Sequence, residues 1–461
     1  MIKELHLRNV GPAPCFDVAF ASRLNLITGD NGLGKSFLLD VAWWALTGNW
    51  ANYMALPSFS EVEEKFDSKK AVAETSAPLA EITYQFAGKS GLAEGFTSCY
   101  DFLAEIWPRP PGQPPVAGLV IYSRADGGFS VWDPARNYWK AASGRGFDQP
   151  DRPAAYHFRS TQVWDGVKLG SEVICNGLLR DWFNWQREPE QRRSSRFNLL
   201  RRVLQVLSPP ELPGGISPGK KLMRVKEYGI LDIPTLETPY GLVPVTHASA
   251  GMQRIMELAY LLVWAWSEHV AKCKEQRQEP AERLLLLIDE VEAHLHPAWQ
   301  LAILPSILTL ANEMQIRSAR LKSKPQSPKG SVEESNLQIL ACTHSPLVLA
   351  SIEPFFKEDQ DQLLSFEAEW PKVSLELKTW AKQGNVMNWL ASDMFDLQGG
   401  RSRQANQAIS AADAWMRGDD LSGYPPELRT KEGIHAALLN ALPVHDEYWP
   451  LWIVGREKQD K

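Results

Sequence analysis

Gly29-Asp30-Asn31-Gly32-Leu33-Gly34-Lys35-Ser36 fits the pattern GxxxxGK[ST] at every position. An apolar run, Leu24–Thr28, precedes it, and an apolar segment suited to a helix, Phe37–Leu46, follows it. Strand, glycine-rich turn and helix form the setting in which such a loop binds phosphate. Its glycines let backbone N–H groups turn inward around the β- and γ-phosphates, and the helix that starts there adds its positive dipole end. Lys35 is expected to reach phosphate oxygens and Ser36 to coordinate Mg²⁺, with ATP as the nucleotide. A chance glycine loop would lack the flanking strand and helix.

Three further segments carry chemistry. Leu284–Ile288 is an all-apolar run of the kind that forms a central strand, and it ends in Asp289-Glu290. Asp289 is suited to hold Mg²⁺ through water, and Glu290 to orient or deprotonate an attacking water. Taken alone, such a strand ending in acids is common. Ala248-Ser249-Ala250-Gly251-Met252-Gln253 opens a long apolar helix, Gln253 to Lys274. A Ser and a Gly at a helix start form an anion site, or simply an N-cap. The strand Leu337–Ala341 runs into Thr343-His344-Ser345-Pro346. A histidine there can donate a hydrogen bond to a γ-phosphate, although a lone histidine of this kind is more often structural.

Composition bounds the rest. The chain has 461 residues, enough for one large domain or two to three ordinary ones. A net charge of −6 argues against a generic polyanion binder, so nucleic-acid contact would need local basic patches. Two exist in sequence: Arg187, Arg192, Arg193, Arg196, Arg201 and Arg202 in one segment, and Arg317, Arg320, Lys322, Lys324 and Lys329 in another. Each also reads as a solvated face or surface loop. Cys15, Cys99, Cys175, Cys273 and Cys342 show no metal-ligand spacing. The first residues are charged and unlike a signal peptide, and no apolar stretch is long enough to span a bilayer. A cytoplasmic location is therefore expected.

Residues 2–9, 16–20 and 81–86 alternate like strands, and Leu119–Ser123 and Phe129–Trp132 flank a hairpin signal, Asp126-Gly127-Gly128. An arginine-rich helical region is expected over 178–206 and a helix near 298–314. Residues 352–461 carry no legible motif.

The four motifs stand in the order phosphate loop, signature, acidic strand, histidine. In this they resemble the ABC-type ATPases of the soluble SMC-like and OLD-like branch, above all in IKELHLRNVGPAPCFDVAF, SAGMQR, LLLLIDEVEAHLHPAWQ and ACTHSP. The resemblance implies roles residue by residue. Gly29 to Ser36, Asp289 and Glu290 keep the roles already argued. Ser249, Gly251 and Gln253 match the signature, which in this family touches the γ-phosphate held by the opposite subunit. His344 matches the switch histidine, and His294 and His296 stand in the D-loop. Gln162 looks like the Q-loop glutamine that senses Mg²⁺, with Gln85 an alternative. Glu292, His294 and His296 also allow a metal-cluster reading, but the D-loop accounts for the same residues. The D-loop wording argues against a transporter subunit. No coiled coil separates the phosphate loop from the signature, and no clustered nuclease acids follow.

The STQVWDG, HASAGMQRIMELAYLLVWAW and THSPLVLASIEP segments are most similar to the PtuA family, the ATPase components of Septu-type antiphage systems and their retron-linked relatives. That family works with a separate HNH nuclease, PtuB. The competing expectation is a RecF-like repair or recombination ATPase.

The expected fold is α/β: an ABC-type core with a mixed sheet, an α-rich insertion and a C-terminal extension. Residues 1–60 would form its first part, 61–240 the rest of the sheet plus the insertion, 241–350 its second part, and 351–461 the extension. Two chains would meet head to tail around Mg²⁺ and ATP.

Overall fold

The computed structural model describes residues 1–58, 80–87, 93–108, 118–137, 155–188, 195–212, 214–314, 336–369, 372–392, 394–395 and 400–459. The chain forms two compact units, Met1–Lys382 and Gln383–Lys461. Among the described residues no helix is long and apolar enough to cross a membrane.

The first unit is built on two sheets. Strands β1 (Ile2–Val10), β2 (Ala13–Ala19), β4 (Glu81–Ala87) and β5 (Ala93–Cys99) form an antiparallel sheet in the order β2-β1-β4-β5. The larger sheet has eight strands. They are β3 (Leu24–Gly29), β6 (Leu119–Ser123), β7 (Phe129–Trp132), β8 (Tyr156–Phe158), β16 (Leu284–Ile288), β17 (Leu337–Cys342), β18 (Asp361–Glu369) and β19 (Lys372–Lys378). Their order is β19-β18-β3-β17-β16-β6-β7-β8. The five central strands, β18 to β6, run parallel, and antiparallel strands close both edges. Parallel strands covered on both faces read as continuous apolar runs, which is why Leu24–Ile27 and Leu284–Ile288 stand out in the sequence.

Helix α1 (Lys35–Thr47) leaves the phosphate loop and packs in one apolar cluster with residues of both sheets. Leu38, Leu39, Val41, Ala42, Trp43 and Trp44 are all buried. A helix apolar on every side is a core helix, and this one anchors the loop in the middle of the fold.

Between β8 and β16 the chain forms α2 (Ser160–Asp165), the hairpin β9 (Val167–Leu169) and β10 (Glu172–Cys175), and helices α3 (Leu178–Gln186) and α4 (Arg196–Val206). Short strands follow: β11 (Ser217–Pro218), β12 (Met223–Arg224), β13 (Asp232–Ile233), β14 (Thr235–Thr238) and β15 (Gly241–Pro244). They lead into the long helix α5 (Ala250–Glu275). After β16 come α6 (Pro297–Gln300) and α7 (Ile303–Glu313), and α8 (Pro346–Ile352) follows β17.

The helical region over 178–206 holds α3 and α4, as expected. Two expectations change. The helix near 298–314 is two, separated by Leu301 and Ala302. The core also runs past residue 350: β18 pairs in parallel with β3, Leu363 opposite Leu26 and Phe366 opposite Gly29. The sheet needs a neighbour on that side of β3, and residues 361–369 supply it.

The second unit contains α9 (Val386–Ala391), α10 (Arg403–Arg417), α11 (Lys431–Ala441) and α12 (Tyr448–Gln459). Ala405, Ala408, Ala411 and Ala412 recur at helical spacing on α10 and let it pack closely with Ile434, Leu438 and Trp452.

Candidate nucleotide-binding site

Strand register brings the motifs to one edge. Cys342 pairs with Ile27, and Ile288 pairs with both Ala341 and Ser123. The residues that follow β3, β17, β16 and β6 therefore emerge side by side at the C-terminal ends of parallel strands. In open α/β sheets ligands bind beyond that edge.

The phosphate loop leaves β3 through Gly29 at φ 124. A Cβ there would overlap the Phe366 carbonyl oxygen on β18 and lie 2.8 Å from the Phe366 Cβ, so only glycine fits. Lys35 opens α1 and is buried. Its Nζ donates to the carbonyls of Gly29 at 2.9 Å and Asp30 at 2.7 Å. Its own loop thus provides the oxygen acceptors that a phosphate would replace. Burial pushes the Lys35 pKa down, against the pull of Asp289, Asp30 and Glu290. Asp30, Asn31 and Gly32 are exposed, and Leu33 and Gly34 are half-buried.

Asp289 is buried at the end of β16, and its N–H donates to the Ser123 carbonyl at 2.9 Å. Burial pushes its carboxyl pKa up, and a hydrogen bond from the Ser36 hydroxyl holds it back. Ser36 and Asp289 are therefore already in contact. A hydroxyl and a carboxylate, both hard oxygen donors beside a phosphate loop, suit Mg²⁺, which takes few protein ligands and keeps waters. Glu290 is exposed and adopts φ 51, a left-handed backbone that non-glycine residues seldom hold.

Glu292 joins two turns. Its carboxylate accepts from the Thr343 hydroxyl at 2.7 Å and from the His344 N–H at 2.5 Å. His344 is half-buried, and burial together with the Lys35 charge lowers its pKa, so the ring is neutral near pH 7 with one N–H to donate. His296 caps α6, accepting from Ala298 N–H at 3.3 Å, and His294 is exposed at φ 64. Among the described residues no three His, Cys, Asp or Glu side chains converge as a metal group.

The signature turn lies on a different element. Ser249 is exposed and caps α5, accepting from Met252 N–H at 3.4 Å. Gly251 is buried, and a Cβ on it would stand 3.0 Å from the His294 carbonyl oxygen. The signature and D-loop turns of one chain therefore touch. Gln253 donates to the Thr246 carbonyl at 3.1 Å, fastening the approach to the helix.

Gln162 lies on α2, which follows β8. Since β8 runs antiparallel to β7, and β7 to β6, α2 starts at the same edge of the sheet. Its Oε1 accepts from Arg159 N–H at 2.9 Å. Gln85 lies on β4 in the other sheet, between Tyr84 and Phe86, which are buried in the cluster around α1. It is therefore remote in topology from the edge that carries the motifs.

The first basic segment is partly paired within the fold. Arg196 pairs with Glu268 at 3.1 Å and Arg202 with Glu313 at 3.5 Å, while Arg187 covers the Phe183 ring. Of that segment Arg187 and Arg201 are exposed. Arg192, Arg193 and all of Arg317–Lys329 lie outside the described residues.

Two groups at the site escaped the sequence reading. Asp40, five residues beyond Lys35 on α1, hydrogen-bonds with Tyr122 and Asn52, yet its Oδ1 is buried without a partner. Burial pushes its carboxyl up to about 6. Arg254, just after the signature, donates to the Ser123 hydroxyl at 2.7 Å, the Arg124 carbonyl at 3.1 Å and the Gly127 carbonyl at 2.9 Å. Its position next to SAGMQ was the available signal; the burial was not. A cavity of about 880 Å³ beside the loop is lined by Pro12, Phe37, Asp40, Trp50, Tyr53 and Met54 among others.

Residues 4–91 match a family described as "AAA domain", and residues 128–350 one described as "AAA domain, putative AbiEii toxin, Type IV TA system". Both descriptions are of AAA-type ATPase domains, which together with the phosphate loop supports an ATPase of the P-loop class. No curated protein matches by sequence. Among solved structures, the SMC head domain from Thermotoga maritima is similar at 14% identity and TM-score 0.35, covering 82% of this chain and 99% of that one. An SMC head bound to the C-terminal winged-helix domain of ScpA gives 13% and 0.37, covering 83% and 98%. A Pyrococcus furiosus SMC head with an extended coiled coil, bound to the ScpA C-terminal domain, gives 12% and 0.36, covering 82% and 96%.

Proposed function

We propose that this chain hydrolyses Mg²⁺-ATP in a head-to-tail dimer and, as the ATPase of a Septu-type pair, controls a separate HNH nuclease. The observation that carries the catalytic half is the contact of Ser36 with Asp289, beside a Lys35 ammonium held by the carbonyls of its own loop. In this reading the loop N–H groups and Lys35 hold the phosphates. Ser36 and Asp289 hold Mg²⁺, with Gln162 completing the set once it releases Arg159. The metal supplies charge neutralisation at the β- and γ-phosphates. Glu290 orients a water and takes its proton, and neutral His344 donates to the γ-phosphate. The apolar cavity beside Pro12 and Phe37 takes the nucleoside end. Ser249, Gly251 and Gln253 are offered to the nucleotide of the second chain, with His294 and His296 nearby at the junction. Hydrolysis then weakens the dimer and changes what the partner sees.

The defence reading is supported by the sequence resemblance. The description of the family over residues 128–350, a toxin of a type IV toxin–antitoxin system, also suits a regulated two-component device. The test is plasmid cleavage by the purified chain with Mg²⁺ and ATP, alone and with the product of its neighbouring gene. Cleavage only with the neighbour supports the reading. Cleavage by the chain alone overturns the division of labour. No cleavage, together with DNA-stimulated ATPase activity, favours the RecF-like alternative. For the chemistry, Glu290→Gln should abolish turnover and leave an ATP-held dimer, while Lys35→Ala should weaken ATP binding itself. Normal turnover by Glu290→Gln would remove that residue as the base.

A further inference from the structure

Glu257 lies eight residues beyond Ser249 on α5, about two helical turns. It is buried, with 5% of its surface exposed. Its Oε1 accepts from the Ser160 hydroxyl at 2.8 Å and from the Trp164 indole N–H at 2.7 Å. Its Oε2 lies 3.6 Å from the Arg254 guanidinium. One carboxylate on α5 therefore holds both the first and the fifth residue of α2.

A charge in the interior is costly unless it is paired, and apolar residues would pack two helices together as well or better. What this carboxylate adds is direction. Helix α2 has six residues, of which only Val163 is buried, and its C-terminal turn lies close against Gly177. The two hydrogen bonds to Glu257 add a polar tie from α5 to its first and fifth residues. Gln162 lies between the two donors, on the helix they orient. Arg254, the ion-pair partner, grips Ser123, Arg124 and Gly127, next to the strand that ends in Asp289. The Asp181–Tyr260 hydrogen bond also ties an inserted helix to α5, but it touches no residue of this edge.

We infer that Glu257 is a positioning residue that makes α2 and the signature turn of α5 move as one body. The state of Gln162 at one subunit's nucleotide edge then sets where that subunit presents Ser249 and Gly251 to the other. The inference rests on the proposed action of the signature across the dimer.

The experiment uses mixed dimers of the full chain in which one subunit carries Glu290→Gln, so that it holds ATP beside its Gln162 but is disabled for turnover. Turnover then comes from the other subunit, faced by the signature of the disabled one. Glu257→Ala added to the disabled subunit should lower turnover about tenfold, a change of about 1.4 kcal/mol in barrier. ATP affinity of the intact subunit should stay within about twofold, because its own loop is untouched. Glu257→Gln, which keeps the acceptor oxygen for both donors, should recover most of the loss. Ser160→Ala with Trp164→Phe, which spares the carboxylate and its arginine, should reproduce it, and this pair carries the test if Glu257→Ala fails to fold. Unchanged turnover with the Ser160/Trp164 pair in the disabled subunit overturns the inference, as does loss only when the changes sit in the hydrolysing subunit. Ser249→Arg in the disabled subunit separates the two levels. If it leaves turnover intact, the dimer reading itself falls. If it abolishes turnover while the Ser160/Trp164 pair does not, only the role of Glu257 falls.

Discussion

Asp40 offers a quantitative test of how dry the region behind the phosphate loop is. Its carboxyl is raised from the ordinary 3.8 to about 6, chiefly by burial, with Tyr122 and Asn52 opposing that rise. A group raised in the fold contributes stability that is fully present below its unfolded value and is lost as pH rises through its folded value. For Asp40 the window runs from about 4 to about 6, and the whole contribution is about 3 kcal/mol. Between pH 5 and pH 8 the same linkage leaves about 1.4 kcal/mol to lose. A side-chain amide cannot ionise, so Asp40→Asn removes this dependence while keeping size and an acceptor. Urea unfolding of both proteins at pH 5 and pH 8 should show the variant gaining on the wild type by about 1.4 kcal/mol at the higher pH. The relevant transition is that of the sheet-containing unit. A constant difference between the two proteins across that range would refute the reasoning, and would mean that water in the neighbouring cavity solvates the carboxylate.

Other outcomes follow from the same edge of the sheet. Gly29→Ala should destabilise the first unit by about 3 kcal/mol or more, because a left-handed backbone and a collision with Phe366 add together. Gly32→Ala, at φ 81 with no atom within 4 Å of its Cβ, should cost only about 1–2 kcal/mol; thermal unfolding of both variants checks the contrast. Gly251→Ala pushes against the His294 carbonyl, so turnover should fall about tenfold while equilibrium ATP binding to the single chain is unchanged. Because burial raises the Asp289 pKa, its ionised form is lost at higher pH than for an exposed aspartate. The Mg²⁺ concentration that half-saturates turnover should therefore rise as pH is lowered, and a requirement independent of pH would remove Asp289 from the metal set.

Much of the central sheet was legible because its strands are covered on both faces and their sequences are apolar throughout. Strands β18 and β19 were not. Asp361–Glu369 begins and ends in acids, and Lys372–Lys378 alternates on a half-solvated edge, so each looks like surface until β3 is known to need a neighbour. The strand, loop and helix around Gly29–Ser36, Asp289 at a strand end and the Ser249 cap could be read from residue types at fixed spacing. The roles of Asp40, Arg254, Glu257 and Glu292 could not, because each depends on burial or on partners far away in the chain. The pairing inside the arginine-rich segment was hidden for the same reason: Glu268 and Glu313, which neutralise Arg196 and Arg202, come from α5 and α7.

The position of β3 also bears on how the protein is made. Its two neighbours in the sheet, β17 and β18, begin at Leu337 and Asp361. A nascent chain thus carries the phosphate loop out of the ribosome more than three hundred residues before either flank of its strand exists. Such long-range parallel pairing is slow and leaves an apolar strand exposed while it waits. During synthesis, competence to bind nucleotide should appear only as residues near Phe366 emerge. A chain stopped at 350 should hold every motif and still bind no ATP.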